Sequence, residues 1–218
     1  GEALSEALDR LLPEGENIIA VMGGTTMAVV AEQLSNLENK KRHNLFVPAR
    51  GGIGEAITVQ ANSVSARMAA KANGNHRALY VPEQLSLATY NSLLNEPSIQ
   101  EVLNLISEAN CVIHSIGRAL HMAARRKMTE KELVMLKQAN AVAESFGYFF
   151  NEKGEVVYKV PRIGIELQDL EKVPIIMAIA GGKSKAKAIR AYMKNAPKQT
   201  WLITDEAAAN EILKGVTL

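Results

Sequence analysis

The 218-residue chain contains a single cysteine, Cys111, so no disulfide can form within it. That fits a reducing cytosol. Cys111 opens the apolar run CVIHSIG and reads as a small core residue. The four histidines, His43, His76, His114 and His121, show no metal-ligand spacing and no supporting Cys or carboxylate cluster, so no metal is expected. There is no signal peptide and no apolar stretch long enough to span a membrane, and a cytoplasmic protein without a membrane partner is expected. Charge of one sign is lacking too. Lys and Arg total 25 against 23 Asp and Glu, a net charge of +2, which argues against a chain that itself grips DNA through clustered cations. A third glycine is missing after Gly23-Gly24, so the G-x-G-x-x-G fingerprint of a dinucleotide oxidoreductase is absent. Ser115 has no nucleophile-elbow context, and no nucleophile–base pair stands out.

What is present is an alternation of short apolar strands and helices. The richest stretch is Ile175 to Leu213. Ile175–Ala180 reads as a buried strand, Gly181-Gly182 as a turn, and Lys183-Ser184-Lys185 as the opening of a basic helix. Thr200–Thr204 is the next strand, and Asp205 caps the helix Glu206–Leu213. A glycine turn that feeds a helix N-terminus offers N–H groups and a dipole to an anion. A second such turn follows strand Asn17–Met22, where Gly23-Gly24 and Thr25-Thr26 open a helix running toward Leu37. Two such turns with adjoining hydroxyls point to a phosphorylated ligand.

The remaining pattern predicts a helix through Leu4, Leu8, Leu11 and Leu12 ended by Pro13. It predicts strand Leu45–Ala49 delivering Arg50-Gly51-Gly52-Ile53-Gly54, helix Thr58–Asn73, strand Ala78–Val81 and a loop over Pro82–Ser86. Helices follow over Leu87–Leu94 and Ser98–Asn110, then strand Cys111–Ile116, the short basic stretch His121–Lys127, and a helix from the Thr129–Glu132 capping box to about Asn140. Phe146–Phe150 and Glu155–Val160 flank Asn151-Glu152-Lys153-Gly154 and read as one hairpin. The fold class expected is therefore α/β. It is a Rossmann-like, mostly parallel sheet with helices on both faces and a small antiparallel hairpin, in one domain without linker or repeat.

The segments CVIHSIG, ESFGYFFNEKGEVV, AIAGGKSKAKAIRA and LITDEAAANEIL resemble the effector-binding domain of SorC-type bacterial transcriptional regulators, and NIIAVMGGTTMAVVAEQL resembles that family's first glycine-rich unit. The match runs along nearly the whole chain. The resemblance implies a fold related to the sugar-phosphate isomerases and glucosamine-6-phosphate deaminases. It implies a sugar-phosphate sensor rather than an enzyme, with fructose 1,6-bisphosphate or a related sugar phosphate as effector and no cofactor. It further implies a repressor of glycolytic genes that forms a homo-oligomer, a dimer or tetramer. The family's helix-turn-helix domain has no counterpart here and the chain begins with Gly1, so residues 1–218 read as the isolated effector-binding domain, with DNA reached through the missing N-terminal domain. Many relatives carry Asp near Glu144 and Arg at Tyr148, departures that bear on the sugar and not on the phosphate.

The candidate ligand residues are Gly23, Gly24, Thr25, Thr26, Arg50, Gly51, Gly52, Gln60, Arg125, Glu144, Gly181, Gly182 and Lys185. The resemblance places the family's phosphate lysine at Lys185, whereas Lys183 reads as part of a solvated face. Arg50 offers a bidentate fork at a strand's C-terminal end. Gln60 is either a hydroxyl contact or a polar residue in a helix's first turn. One of Arg125 and Arg126 is expected to clamp a second phosphate, and Arg125 is assigned. Glu144 is either an acceptor for sugar hydroxyls or an exposed helix-end carboxylate. The rival reading is a sugar-phosphate isomerase or deaminase, for which only Glu55, Glu144 and Asp205 offer acid–base chemistry.

Overall fold

The computed structural model describes residues 1–35, 37, 41–52, 56–81 and 86–214. Ile53, Gly54 and Glu55 of the expected Arg50 turn, and Pro82–Leu85 of the expected loop, lie outside the described residues. The elements run α1 (Glu2–Leu11), β1 (Gly15–Val21), α2 (Thr25–Glu32), β2 (Arg42–Pro48), α3 (Ala61–Lys71), β3 (Asn75–His76), α4 (Leu87–Leu94), α5 (Pro97–Ser107), β4 (Cys111–Ser115) and β5 (Gly117–Arg118). They continue with α6 (Ala119–Arg125), α7 (Glu130–Gln138), β6 (Ala141–Ser145), β7 (Tyr148–Asn151), β8 (Val156–Lys159), β9 (Ile175–Ile179), α8 (Ala186–Met193), β10 (Thr200–Ile203) and α9 (Glu206–Leu213). A six-stranded parallel sheet has the order β10-β9-β4-β1-β2-β3, and a four-stranded antiparallel sheet the order β5-β6-β7-β8.

By residue contacts the chain divides into two compact units, Gly1–His114 with Arg162–Met177, and Ser115–Pro161 with Ala178–Leu218. In the first unit β1 pairs in register with β2 from Gly15↔Arg42 to Val21↔Pro48. α3 and α5 pack on these two strands. The strands are buried toward their C-terminal ends, as their continuous apolar runs require of a covered parallel sheet. Arg42 ties β2 to α1, its Nη1 donating to Asp9 Oδ1 at 2.9 Å.

Side-chain alternation organises the second unit. Phe149 and Phe150 project to opposite faces of the small sheet. Phe149 joins Ala119, Ala123 and Leu136 of α6 and α7 in one core, while Phe150 meets Tyr192 of α8 edge-on at 5.5 Å. The Thr129–Glu132 capping box forms as the sequence predicts.

Four expectations change. Ala78–Val81 is not a strand; β3 is Asn75–His76. Asn62 explains this, since its side chain takes both Leu79 N–H and Leu79 C=O, the groups a neighbouring strand would pair. The helix expected over Thr58–Asn73 opens as a 3₁₀ turn at Ile57–Val59 and restarts at Ala61, because Gly24 N–H takes the Val59 carbonyl. α2 stops at Glu32 rather than nearing Leu37, and Ser35 N–H is drawn to Ser5 Oγ of α1 at 2.9 Å. Finally, the hairpin belongs to a wider sheet, with Ala141–Ser145 a strand and Phe146 in the β6–β7 turn rather than in β7.

Candidate anion-binding site

The first unit brings Gly23, Gly24 and Gln60 together. A Cβ on Gly23 would lie 2.6 Å from Val59 O and 2.7 Å from Ala61 N, so only glycine allows this approach of the turn to the start of α3. Gly24 has φ 123° and donates to Val59 O at 2.8 Å. α2 has no side-chain cap and no acid in its first turn, which leaves the hydroxyls of an exposed Thr25 and a half-buried Thr26 beside a positive dipole end. Gln60 is the residue before α3 and contributes its carbonyl to Val64 N–H.

Arg50 follows β2, where the sequence puts it, but it is 2% exposed. Its backbone bridges Gly164 in antiparallel fashion, and Gly51 N–H donates to Ile163 O at 3.0 Å. Gly164 is at φ +142°, and a Cβ there would meet Ala49 O at 2.5 Å. A second buried arginine, Arg162, donates from Nη1 to Gly52 O at 2.9 Å. Arg162 was not singled out in the sequence; its only marking is a charged residue beside the apolar positions Ile163 and Ile165.

In the second unit, Gly181 and Gly182 close around Asp205. Gly182, at φ +91°, donates its N–H to Asp205 Oδ2 at 2.6 Å, while Asp205 Oδ1 accepts from Ala208 N–H at 2.8 Å. A Cβ on Gly181 would fall 2.4 Å from Asp205 Oδ2. One carboxylate thus caps α9 and fixes the turn, and one N–H that the sequence offers to a ligand is spent internally.

The two lysines of this turn diverge. Lys183 is exposed and 3.8 Å from Glu211. Lys185 is half-buried, and burial holds its ammonium below the ordinary lysine range, helped by the nearby positive charges of Arg118 and Arg125. The charges at the end of β5, at the end of α6 and in the segment before α8 thus act on one another. Arg118 was missed in the sequence. Its marking is visible in retrospect, since strand, Gly117, Arg118 and helix stand in the same order of elements as the other glycine turns.

Arg126 is committed elsewhere. Its Nη2 donates to Glu144 Oε1 at 2.9 Å, with both side chains 5% exposed. It also lies over the Phe149 ring at 5.9 Å. Glu144 Oε1 accepts Gly147 N–H as well, at 2.7 Å. So Glu144 is a buried strand residue, not an exposed helix end. The turn it fixes is unusual, because Phe146 (φ 55°) and Gly147 (φ 81°) are both left-handed and Phe146 is a bulky residue in that region.

Of the three candidates for acid–base chemistry, Glu55 lies outside the described residues and the other two are engaged. Glu144 is in an ion pair, Asp205 is a cap, and burial pushes the Cys111 thiol up to about 12. Among the described residues no His, Cys, Asp and Glu cluster could hold a metal, and no helix is long and apolar enough to cross a membrane.

Residues 1–214 match the Sugar-bind family, described as “Putative sugar-binding domain”. A structure of a “putative SorC family transcriptional regulator” from Enterococcus faecalis is 76% identical, with a TM-score of 0.93 over 97% of this chain and 86% of that one. The chain belongs to the sugar-binding domain family of SorC-type regulators. Two curated relatives are named central glycolytic genes regulator. The Bacillus subtilis protein is 50% identical over 92% of this chain and 58% of its own length, and the Priestia megaterium protein 47% identical over 98% and 62%. The chain thus spans about three fifths of these relatives. The full-length sorbitol operon regulator SorC of Klebsiella pneumoniae, at 18% identity, shares the fold, with a TM-score of 0.84 over 95% of this chain and 69% of that one.

Proposed function

We propose that this SorC-family sugar-binding domain is the effector-binding part of a cytoplasmic, homo-oligomeric repressor of glycolytic genes, dimer or tetramer. Its effector is a sugar phosphate, with fructose 1,6-bisphosphate the first candidate. DNA is engaged through a domain outside this chain. The observation that carries the ligand chemistry is a half-buried Lys185, after the Gly181-Gly182 turn, whose ammonium feels the positive charges of Arg118 and Arg125. Burial first, and the positive charges of Arg118 and Arg125 second, disfavour the charged form of Lys185. A phosphate dianion turns that repulsion into attraction, and arginines receive it bidentately. The glycolytic assignment draws on the names of the Bacillus and Priestia relatives.

Within the second unit, Lys185 and Arg125 take a phosphate, Gly181 and Gly182 shape the approach, and Glu144 keeps its carboxylate for sugar hydroxyls. Within the first unit, Gly23, Gly24, Thr25, Thr26 and Gln60 form a second set of donors, while Arg50, Gly51 and Gly52 set the charge at the end of β2. Calorimetry with fructose, fructose 6-phosphate and fructose 1,6-bisphosphate tests the reading. Affinity should rise with each phosphate, by about tenfold or more per step, as one charge-assisted contact of roughly 1.5–3 kcal/mol implies. Equal affinity for all three would overturn it.

A further inference from the structure

The net charge of +2 conceals an uneven division. The second unit, Ser115–Pro161 with Ala178–Leu218, holds 15 Lys and Arg against 8 Asp and Glu, a balance of +7. The first unit holds 10 against 15, a balance of −5. Charge asymmetry of this kind between parts of one chain points to a polyanionic partner for the basic part.

Much of the surplus stands on one helix face. Lys183, Lys187, Arg190 and Lys194 recur at spacings of four, three and four, which stack residues on one side of a helix. All four are exposed, and together they line a cavity of about 360 Å³ along α8. α8 turns Ala188, Ile189, Ala191 and Tyr192 inward instead, and the half-buried Lys185 does not line the cavity. The acids beside this face are too few to neutralise it. Lys187 pairs with Glu152 at 2.5 Å, and Glu211 is shared by Lys183 at 3.8 Å and Lys214 at 2.7 Å. Lys194 and Arg190 are steadied by carbonyls, those of Glu152 and Ile212. Exposed ion pairs are worth at most about 1 kcal/mol, so a phosphate replaces a carboxylate here at little cost. From Lys183 to Lys194 the chain rises roughly 16 Å. One strand of B-DNA carries about five phosphates in that length, at roughly 3.4 Å each, enough for one per cation.

We infer that the exposed face of α8 is an accessory DNA surface: it takes the phosphodiester backbone, without reading sequence, beside the grip of the DNA-binding domain outside this chain. The inference rests on the proposed place of this chain in a DNA-bound repressor. It is independent of which effector binds at Lys185.

The 218-residue chain is titrated onto a short fluorescent duplex of arbitrary sequence, and anisotropy is followed between about 50 and 200 mM salt. Four phosphate contacts give a log–log salt slope of about −3.6, a roughly 150-fold loss across that range. Lys187→Gln/Lys194→Gln should halve the slope to about −1.8 and weaken binding about tenfold or more at the lower salt. Lys131→Gln/Lys137→Gln removes the same charge from α7 and should leave the slope at the wild-type value. Two further arms fix the partner and the place. Poly-glutamate should bind more weakly than the duplex, and fructose 1,6-bisphosphate should not displace the duplex. No salt-dependent binding by wild type, or equal losses in the two double variants, would overturn the inference. Poly-glutamate bound as tightly as DNA would overturn it in favour of an acidic protein partner, and displacement by fructose 1,6-bisphosphate would move the DNA to the effector site. Calorimetry with fructose 1,6-bisphosphate on Lys187→Gln/Lys194→Gln separates the two readings. Affinity should match wild type, and a wild type that binds DNA but no sugar phosphate would overturn the effector reading while this surface stands.

Discussion

Lys183 and Lys185 are two residues apart and meet opposite environments, which separates a solvated charge from a working one. Lys183 faces water and Glu211. Lys185 is half-buried beside two arginines, and its lowered pKa makes a pH prediction with a definite sign. An anion bound at Lys185 relieves the repulsion and moves its pKa back up. Between the lowered value and the ordinary lysine value, phosphate binding must therefore be accompanied by proton uptake, and affinity must fall as pH rises through that window. In that window, well above the second pKa of a phosphate group near 6, the phosphate is fully ionised and arginine stays charged, so the lysine is the group observed. Calorimetry in buffers of different ionisation heat should show uptake in wild type and none in Lys185→Met. Equal heats in both proteins would rule Lys185 out of the site. Arg50 carries a related lesson. The sequence reads it as a strand-end arginine, and so it is, but at 2% exposure it also belongs to the interior of its unit. Truncating it would disturb packing as well as charge.

At the scale of elements, both Gly-Gly turns spend one N–H internally, Gly24 on Val59 O and Gly182 on Asp205. Asp205→Ala should therefore cost more than a cap. Losing the α9 cap is worth about 1 kcal/mol. Losing the Gly182 N–H hydrogen bond adds up to about 1 kcal/mol. The sum lowers the melting temperature by roughly 4–8 °C in a protein of this size. Hydrogen exchange at Gly182 should quicken by more than at Ala208, and a change confined to α9 would show that Asp205 is only a cap. The sequence conveyed α1, β1, β9, α8, α9 and the Thr129 capping box well, since apolar periodicity and cap residues are local. It did not convey β6, because Ala141–Ser145 is too short and mixed to betray a strand, and one of its partners, β5, lies beyond α6 and α7 in sequence. Nor did it convey the Ala78–Val81 outcome, decided by one Asn62 side chain 17 residues distant. In the candidate site, Lys185 could be told from Lys183 only through the family resemblance, whereas the fate of Arg126 depended on Glu144, and no spacing rule links residues 126 and 144.

For the whole molecule, the chain passes between its two units at His114/Ser115, Pro161/Arg162 and Met177/Ala178, so neither unit is a single removable segment. An effector that binds the folded chain and not the unfolded one stabilises it by mass action. At about 100 times its dissociation constant the gain is roughly 2.7 kcal/mol, or about 5–11 °C in melting temperature for a chain of this length. That shift should appear with fructose 1,6-bisphosphate and not with fructose. Its consequence for assembly has a stricter limit, because the effector can move an association equilibrium only as far as its affinities for the separate and assembled chains differ. A coupling of about 1–3 kcal/mol, typical of linked sites, changes the association constant by roughly 5–150-fold. Sedimentation velocity at protein concentrations bracketing the midpoint, with and without saturating effector, resolves a change of that size. A melt that rises while the sedimentation distribution stays fixed would show that the effector is sensed without altering self-association of this domain. Any effect of the effector on repression would then act through contacts that residues 1–218 do not make.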